Sequence, residues 1–170
     1  MSTNLIPFTL ERVDEFYQLT ERNRSYLKKW LPWLDSIQDV KDTATFIENS
    51  IASDQKGYSV NFFIMADEII VGTIGLREMS GTYAIVGYWI DEAHQSMGIT
   101  TQALQQLIKI IKDRHLSSIV YLRCSPLNKA SAAVAKKCGF IYKTTLPQAE
   151  NLYGRLNDLD VYEFKISSTE

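Results

Sequence analysis

The 170-residue sequence predicts an α/β fold of the α+β kind, a central and mostly antiparallel sheet flanked by helices. Three observations predict it. The runs "YSVNFFIM" (58–65) and "IIVGTIGLR" (69–77) alternate with period two around Asp67 and Glu68, and "TYAIVGYWI" (82–90) follows a Ser80-Gly81 turn. Three consecutive strands with short connections form an antiparallel meander. Leu104, Leu107, Ile108 and Ile111 then fall at i, i+3, i+4 and i+7, the stripe of a helix that lays one face on a sheet. Finally, "SIVYLRC" (118–124) and "DVYEFKI" (160–166) supply later strands on either side of another helical segment.

The remaining elements follow in order. Leu5 to Leu10 reads as a first strand, and a helix begins near Val13 with Phe16, Tyr17 and Leu19 on its apolar side. In "RSYLKKWLPWLDSI", Pro32 breaks any helix begun at Ser25 and leaves Trp30, Trp33 and Leu34 around a bend. Phe46, Ile47 and Ile51 recur at helical spacing from Lys41, and Gly57 is a stop signal. A helix from about Lys129 to Cys138 ends at Gly139, with "FIYKT" leaving it as a strand.

Composition narrows the function. No internal repeat, low-complexity segment or linker divides the chain, so a single domain over 1–170 is expected. With 45% hydrophobic and 22% charged residues, and no apolar run near the roughly 20 residues of a membrane span, no membrane partner is implied. Met1 to Leu10 lacks the charged and apolar regions of a signal peptide, which points to a cytoplasmic protein. Cys124 and Cys138 are too few for a disulfide framework, and His94 and His115 stand at no metal-ligand spacing, so no metal is expected. A net charge of −2 lacks the basic stripe of a nucleic-acid binder. The oligomeric state is open, and a homo-oligomer is compatible with this composition.

The segment "WIDEAHQSMGITTQAL" (89–104) turns from strand to helix through small polar residues and one glycine. A helix N-terminus presents free N–H groups and a partial positive charge, which suits a phosphate. Gly98 removes a side chain where main chain would approach an anion, and Ser96, Thr100 and Thr101 offer hydroxyls. No Gly-Lys-Ser or Gly-Lys-Thr and no three-glycine fingerprint occurs, so neither a nucleotide-hydrolase loop nor a dinucleotide site is indicated.

The order of "GYWID", Gln95-x-x-Gly98-x-Thr100, Asn128-x-x-Ser131 and "KCGF" (137–140) resembles the GNAT superfamily of N-acetyltransferases. The segments "NRSYLKKWLPWLD" and "AENLYGRLNDLDVY" look more closely like its ribosomal-protein N-terminal (serine/alanine) acetyltransferase group. The resemblance runs from about Leu5 to Ile166. It implies a GNAT-type fold in which the strand ending at Trp89, Ile90 and Asp91 splays from a parallel neighbour and admits acetyl-CoA, the co-substrate. Gln95, Ser96, Met97, Gly98, Ile99 and Thr100 would then hold the pyrophosphate, Asn128 the pantetheine chain, and Lys129 or Lys136 the ribose phosphate. Relatives usually carry glycine where Ser96 stands and glycine or alanine where Thr100 stands, and the apolar pair Ile85 and Val86 occupies a position that is often glutamate.

Amine acetylation needs a neutral nucleophile, a stabilised oxyanion and a proton for the departing thiolate. By the resemblance, Ser131 would protonate the thiolate or position the water that does so, a backbone N–H near Ile90 would meet the oxyanion, and Glu150, directly or through water, is the candidate base, with water itself as the alternative. Partial burial would raise the Glu150 pKa to a useful value. Trp30, Trp33 and Tyr58 are candidates to line the acceptor side. The expected acceptor is a protein N-terminal α-amine, such as that of a ribosomal protein. The alternatives are a small amine, polyamine or aminoglycoside-like, and a non-catalytic acyl-CoA-binding module.

Overall fold

In this computed structural model, which describes residues 2–167, seven strands form one sheet in the order β1-β2-β3-β4-β5-β7-β6. Met1 and residues 168–170 of the expected 1–170 domain lie outside the described residues. The strands are β1 (Thr3–Pro7), β2 (Val60–Ala66), β3 (Ile69–Arg77), β4 (Tyr83–Ile90), β5 (Ile119–Cys124), β6 (Ile141–Leu152) and β7 (Arg155–Lys165). Every neighbouring pair is antiparallel except β4 and β5, so the sheet is mixed and mostly antiparallel, as expected.

The helices divide between the two faces. Along β2, Phe62, Ile64 and Ala66 join the core under α4 (Ile99–Asp113) and α5 (Lys129–Lys137). Phe63 and Met65 point the other way, into a core with Phe16 and Leu19 of α1 (Val13–Arg22) and Ile47 of α3 (Val40–Gln55). Both faces of β2 are therefore buried, which is why "NFFIMA" carries apolar residues without a clean alternation. The ends of α3 are set locally: the Asp39 carboxylate accepts from the Asp42 N–H at 2.9 Å, and Gly57 takes φ 79° just beyond the helix.

Two elements differ from the sequence expectation. The first strand ends at Pro7 instead of Leu10, because proline has no N–H for the ladder and the Thr9 hydroxyl then caps a 3-10 turn, Leu10–Arg12. The strand expected at "FIYKT" extends through twelve residues to Leu152 and pairs with β7 as a long hairpin. Its pattern is masked because the register shifts between Leu146 and Glu150, around Pro147 and a left-handed Gln148 (φ 49°), and most of its side chains face solvent.

The bend around Pro32 is real. Helix α2 (Arg24–Leu27) is one turn long, and Pro32 opens a 3-10 turn, Pro32–Ser36. Arg24 holds the bend by donating from Nη1 to the Leu34 carbonyl at 2.9 Å, with Nη2 reaching the Ile37 carbonyl.

Candidate active site

The site begins where β4 and β5 part. Their parallel ladder runs from the pair Tyr83–Ile119 to Val86–Leu122, and β4 then continues to Ile90 without β5 beside it. On its other edge β4 stays clamped to β3. A Cβ on Gly72 would lie 2.1 Å from the Trp89 carbonyl oxygen, so only glycine permits that approach. The strand end is thus held from one side and open on the other. A cleft of about 590 Å³ follows this opening, a size suited to a small organic ligand.

One wall is the turn into α4. Its N-cap is Gly98, in the left-handed region at φ 76°, and no side chain caps the helix. Gln102 donates to the Gly98 carbonyl at 3.1 Å, leaving the N–H groups of the first turn without intrahelical acceptors. Ser96 is also left-handed, at φ 62°, a conformation that glycine adopts freely and that costs a residue with a side chain about 1 kcal/mol. Gln95, Ser96, Gly98, Ile99, Thr100 and Thr101 all line the cleft. An uncapped helix end of fifteen residues, with its dipole directed at a cavity, fits a diphosphate.

The opposite wall is the start of α5. Asn128 is its N-cap, with Oδ1 accepting from the Ser131 N–H at 3.1 Å. The cap orients Ser131, and the Tyr88 hydroxyl donates to Ser131 Oγ at 2.9 Å. Burial pushes the Tyr88 phenol up to about 12, against the Ser131 hydrogen bond, so it remains a donor through the physiological range. Tyr88 is the residue that sequence reasoning missed. It stood in view within "GYW", but only the β4–α5 approach across the fork reveals its partner.

Beyond the fork lies Glu150 on β6. Its Oε1 is buried with no hydrogen-bond partner among the described residues. Burial raises the Glu150 pKa, the direction expected from the sequence, with the Arg77 charge opposing. Glu150 does not line the 590 Å³ cleft. The buried Cys124 thiol couples electrostatically with both Tyr88 and Glu150. Burial pushes Cys124 up to about 11, helped by Asp160 and Glu150, and burial also raises Cys138. Both cysteines are thiols at neutral pH, a state unsuited to nucleophilic catalysis.

The other expected residues separate. Trp30, Trp89 and Ile90 line the cleft. Asp91 is buried, and its carboxylate turns toward the helices: Asn23 donates to Oδ1 at 2.8 Å, Arg22 to Oδ2 at 3.0 Å, and His94 Nδ1 lies 2.7 Å from Oδ2. Burial alone would raise the Asp91 pKa, but these hydrogen bonds hold it below the usual carboxylate range. Asn23 Oδ1 in turn accepts from the Glu92 N–H at 2.9 Å, so the cluster ties the start of the turn to the α1–α2 junction. Met97 projects to solvent from the turn. Lys129 and Lys136 are exposed outside the cleft lining, where Lys137 stands instead. Trp33 stacks on Phe46 (centroids 5.3 Å apart, 5° between planes), and Tyr58 is exposed beyond α3; neither lines the cleft. No group of three or more His, Cys, Asp or Glu able to hold a metal occurs among the described residues.

A forked parallel pair, an uncapped helix end and a serine at the fork define an acyltransferase architecture. The chain belongs to the GNAT acetyltransferase family, whose domain profile matches residues 3–141. Within it, the chain is similar to the ribosomal-protein-serine acetyltransferase of Escherichia coli (strain K12), at 32% identity over 158 residues, 92% of this chain and 88% of the relative. Among solved structures it is similar to the ribosomal α-N-protein acetyltransferase RimL in complex with coenzyme A, with TM-score 0.95, 26% identity, and 99% and 97% of the two chains covered. It is also similar to the microcin self-immunity acetyltransferase MccE in complex with acetyl-CoA and AMP, with TM-score 0.92, 28% identity, and coverage of 96% and 92%.

Proposed function

We propose that this chain is a cytoplasmic enzyme that transfers an acetyl group directly from acetyl-CoA to the α-amine of a protein N-terminus, such as that of a ribosomal protein. The observation that carries the reading is the Tyr88–Ser131 hydrogen bond at the mouth of the fork, opposite an uncapped helix end. Acetyl-CoA supplies the activated acetyl group and a thiolate leaving group. The N–H groups from Ser96 to Thr100 hold its diphosphate, and Asn128 uses the amide nitrogen left free by the cap for the pantetheine chain. Ser131 Oγ accepts from Tyr88, so the Ser131 proton is free to point into the cleft toward the leaving sulfur. The Glu150 carboxylate takes the proton of the attacking amine, directly or through a water. The β4 backbone near Ile90 supplies the N–H for the developing oxyanion.

The likeness to the ribosomal-protein-serine acetyltransferase, over nearly the whole of both chains, favours a protein acceptor. The likeness to MccE keeps acetylation of a small amine as a second reading. A panel of peptides and small amines, read by thiol release from acetyl-CoA, tests both. Peptides with a free α-amine are expected to release thiol and the same peptides with a blocked N-terminus are not. Release with polyamines or aminoglycosides alone selects the second reading, and binding of acetyl-CoA without release from any amine leaves an acyl-CoA-binding module.

A further inference from the structure

A second hollow, sharing no residue with the cleft, opens where the α2–Pro32 segment meets the tip of the β6–β7 hairpin. It has a volume of about 570 Å³ and is lined by Lys28, Lys29, Asp35, Leu152, Tyr153 and Arg155. The buried Leu152 gives it an apolar floor, and the half-exposed Tyr153 ring forms one side. Three cations and one carboxylate make a locally positive basin on a chain whose net charge is −2.

Among the described residues the cations of the hollow are not neutralised by ion pairing, and what sets them apart is that three of them converge on one concavity. Arg12, Arg22, Arg24, Lys109 and Lys143 each stand within ion-pair distance of a carboxylate. Lys28, Lys29 and Arg155 form no such pair among the described residues. The one acid in the hollow, Asp35, sits beside the Tyr153 phenol and helps raise its pKa, after desolvation. Like charges gathered from two distant parts of the chain repel one another and attract an anionic partner.

Position supplies the occupant. Leu152 follows Glu150 by two residues on β6, a step of about 7 Å, and Trp30, next in sequence to Lys29 of the hollow, lines the cleft. The hollow therefore continues the acceptor side outward from Glu150. An extended peptide advances roughly 3.3–3.6 Å per residue, so an α-amine at Glu150 brings its second to fourth residues over the basic rim. We infer that this hollow binds acidic side chains at about the second to fourth positions of the acceptor polypeptide, selecting N-termini followed by Asp or Glu. The inference rests on the protein N-terminus reading above.

Binding to the coenzyme A-saturated protein, which cannot turn over, isolates the inference from catalysis. Fluorescently labelled octapeptides with one N-terminal residue and Asp, Gln or Lys at positions two to four serve as probes. At low salt the Asp peptide is expected to bind roughly five- to ten-fold more tightly than the Gln peptide, and 0.5 M salt should erase most of the gap. The double variant Lys28→Gln, Lys29→Gln and the single variant Arg155→Gln should each narrow the gap, and Lys29→Glu with Arg155→Glu should favour the Lys peptide. An unchanged melting shift with coenzyme A confirms that each variant folds and keeps the cleft. Equal Kd values for the Asp and Gln peptides, or a gap that survives in the variants, overturns the inference. Displacement by AMP without any ranking among the peptides also overturns it, in favour of a small phosphorylated ligand. Charge-ranked binding with no acetylation of any peptide α-amine would sink the acceptor reading and leave the basic hollow standing.

Discussion

The turn between β4 and α4 and the acceptor side beyond Glu150 contrast in how they are built. The turn is contiguous: Trp89 to Thr101 contain the strand end, the left-handed residues and the free helix terminus, and the chemistry belongs to the backbone. The acceptor side is assembled from the α2–Pro32 segment and the β6–β7 hairpin, and its chemistry belongs to side chains. A backbone site depends on conformation, so it tolerates changes such as serine for glycine at position 96 at a modest conformational cost. A side-chain site changes with each residue that faces it. The two regions therefore constrain function differently: the turn points to a shared co-substrate, and the hairpin and bend to the acceptor.

The sharpest way to break the contrast is at the turn. Gly98→Asp should weaken acetyl-CoA binding by about two to three orders of magnitude, because a carboxylate would face the diphosphate at a few Å, whereas its cost at the left-handed φ is small and close to that of Asn. Space is not the obstacle, since a Cβ at Gly98 meets nothing within 4 Å. Gly98→Asn keeps a similar shape without the charge and tolerates the conformation, so it should lose far less. Calorimetric titration measures both. Equal losses in the two variants would mean that backbone strain, and not anion repulsion, controls the site.

This contrast also explains what the sequence made legible. The meander, the α4 stripe and the Gly98 turn were readable because each depends on near neighbours in the chain; β2 and β3 showed as short apolar runs around a two-residue turn, although burial on both faces erases the period-two alternation expected of them. The full length of β6 was hidden by Pro147 and by a mostly exposed face, which carry no periodic apolar signal. Tyr88, the inward turn of Asp91 and the basic hollow were not legible at all. Each depends on a partner from a distant segment: Ser131 for Tyr88, Asn23 and Arg22 for Asp91, and Arg155 for Lys28 and Lys29. Aromatic character alone suggested Trp33 and Tyr58 as lining residues, but Trp33 packs on Phe46 and Tyr58 faces solvent.

At the fork, where the two regions meet, smaller effects are expected. Ser131→Ala should lower kcat by about 100-fold with little change in acetyl-CoA affinity, the low end for loss of a general acid. Tyr88→Phe removes one hydrogen bond, worth about 1 kcal/mol, and should lower kcat roughly five-fold. If Tyr88 acts by orienting the serine proton, the double variant should be no slower than Ser131→Ala alone. Steady-state kinetics of the four proteins decide it, and fully multiplicative effects would give Tyr88 a role separate from Ser131.

A modest rate effect is expected at Glu150, and its main signature is in pH and stability. An α-amine with a pKa of about 8 is already roughly one-tenth neutral at pH 7, so losing the base should slow acetylation by about ten-fold. In the wild-type protein, log kcat/KM should fall with pH in two steps, first as the amine protonates and then as Glu150 does, above the ordinary carboxylate range. Glu150→Gln should retain only the amine step, so the rate deficit shrinks as pH falls through the Glu150 ionisation. Stability should move the opposite way. A carboxyl whose folded pKa is raised contributes most below its unfolded pKa and loses that contribution as pH rises through the folded value. At neutral pH Glu150 therefore carries a charge on a buried oxygen without a partner, and the neutral amide should raise Tm there but not near pH 4. Melting curves at the two pH values, beside the pH–rate profiles, measure both changes. A variant that is less stable at neutral pH, with an unaltered pH–rate profile, would show that Glu150 supports the hairpin and that water takes the amine proton.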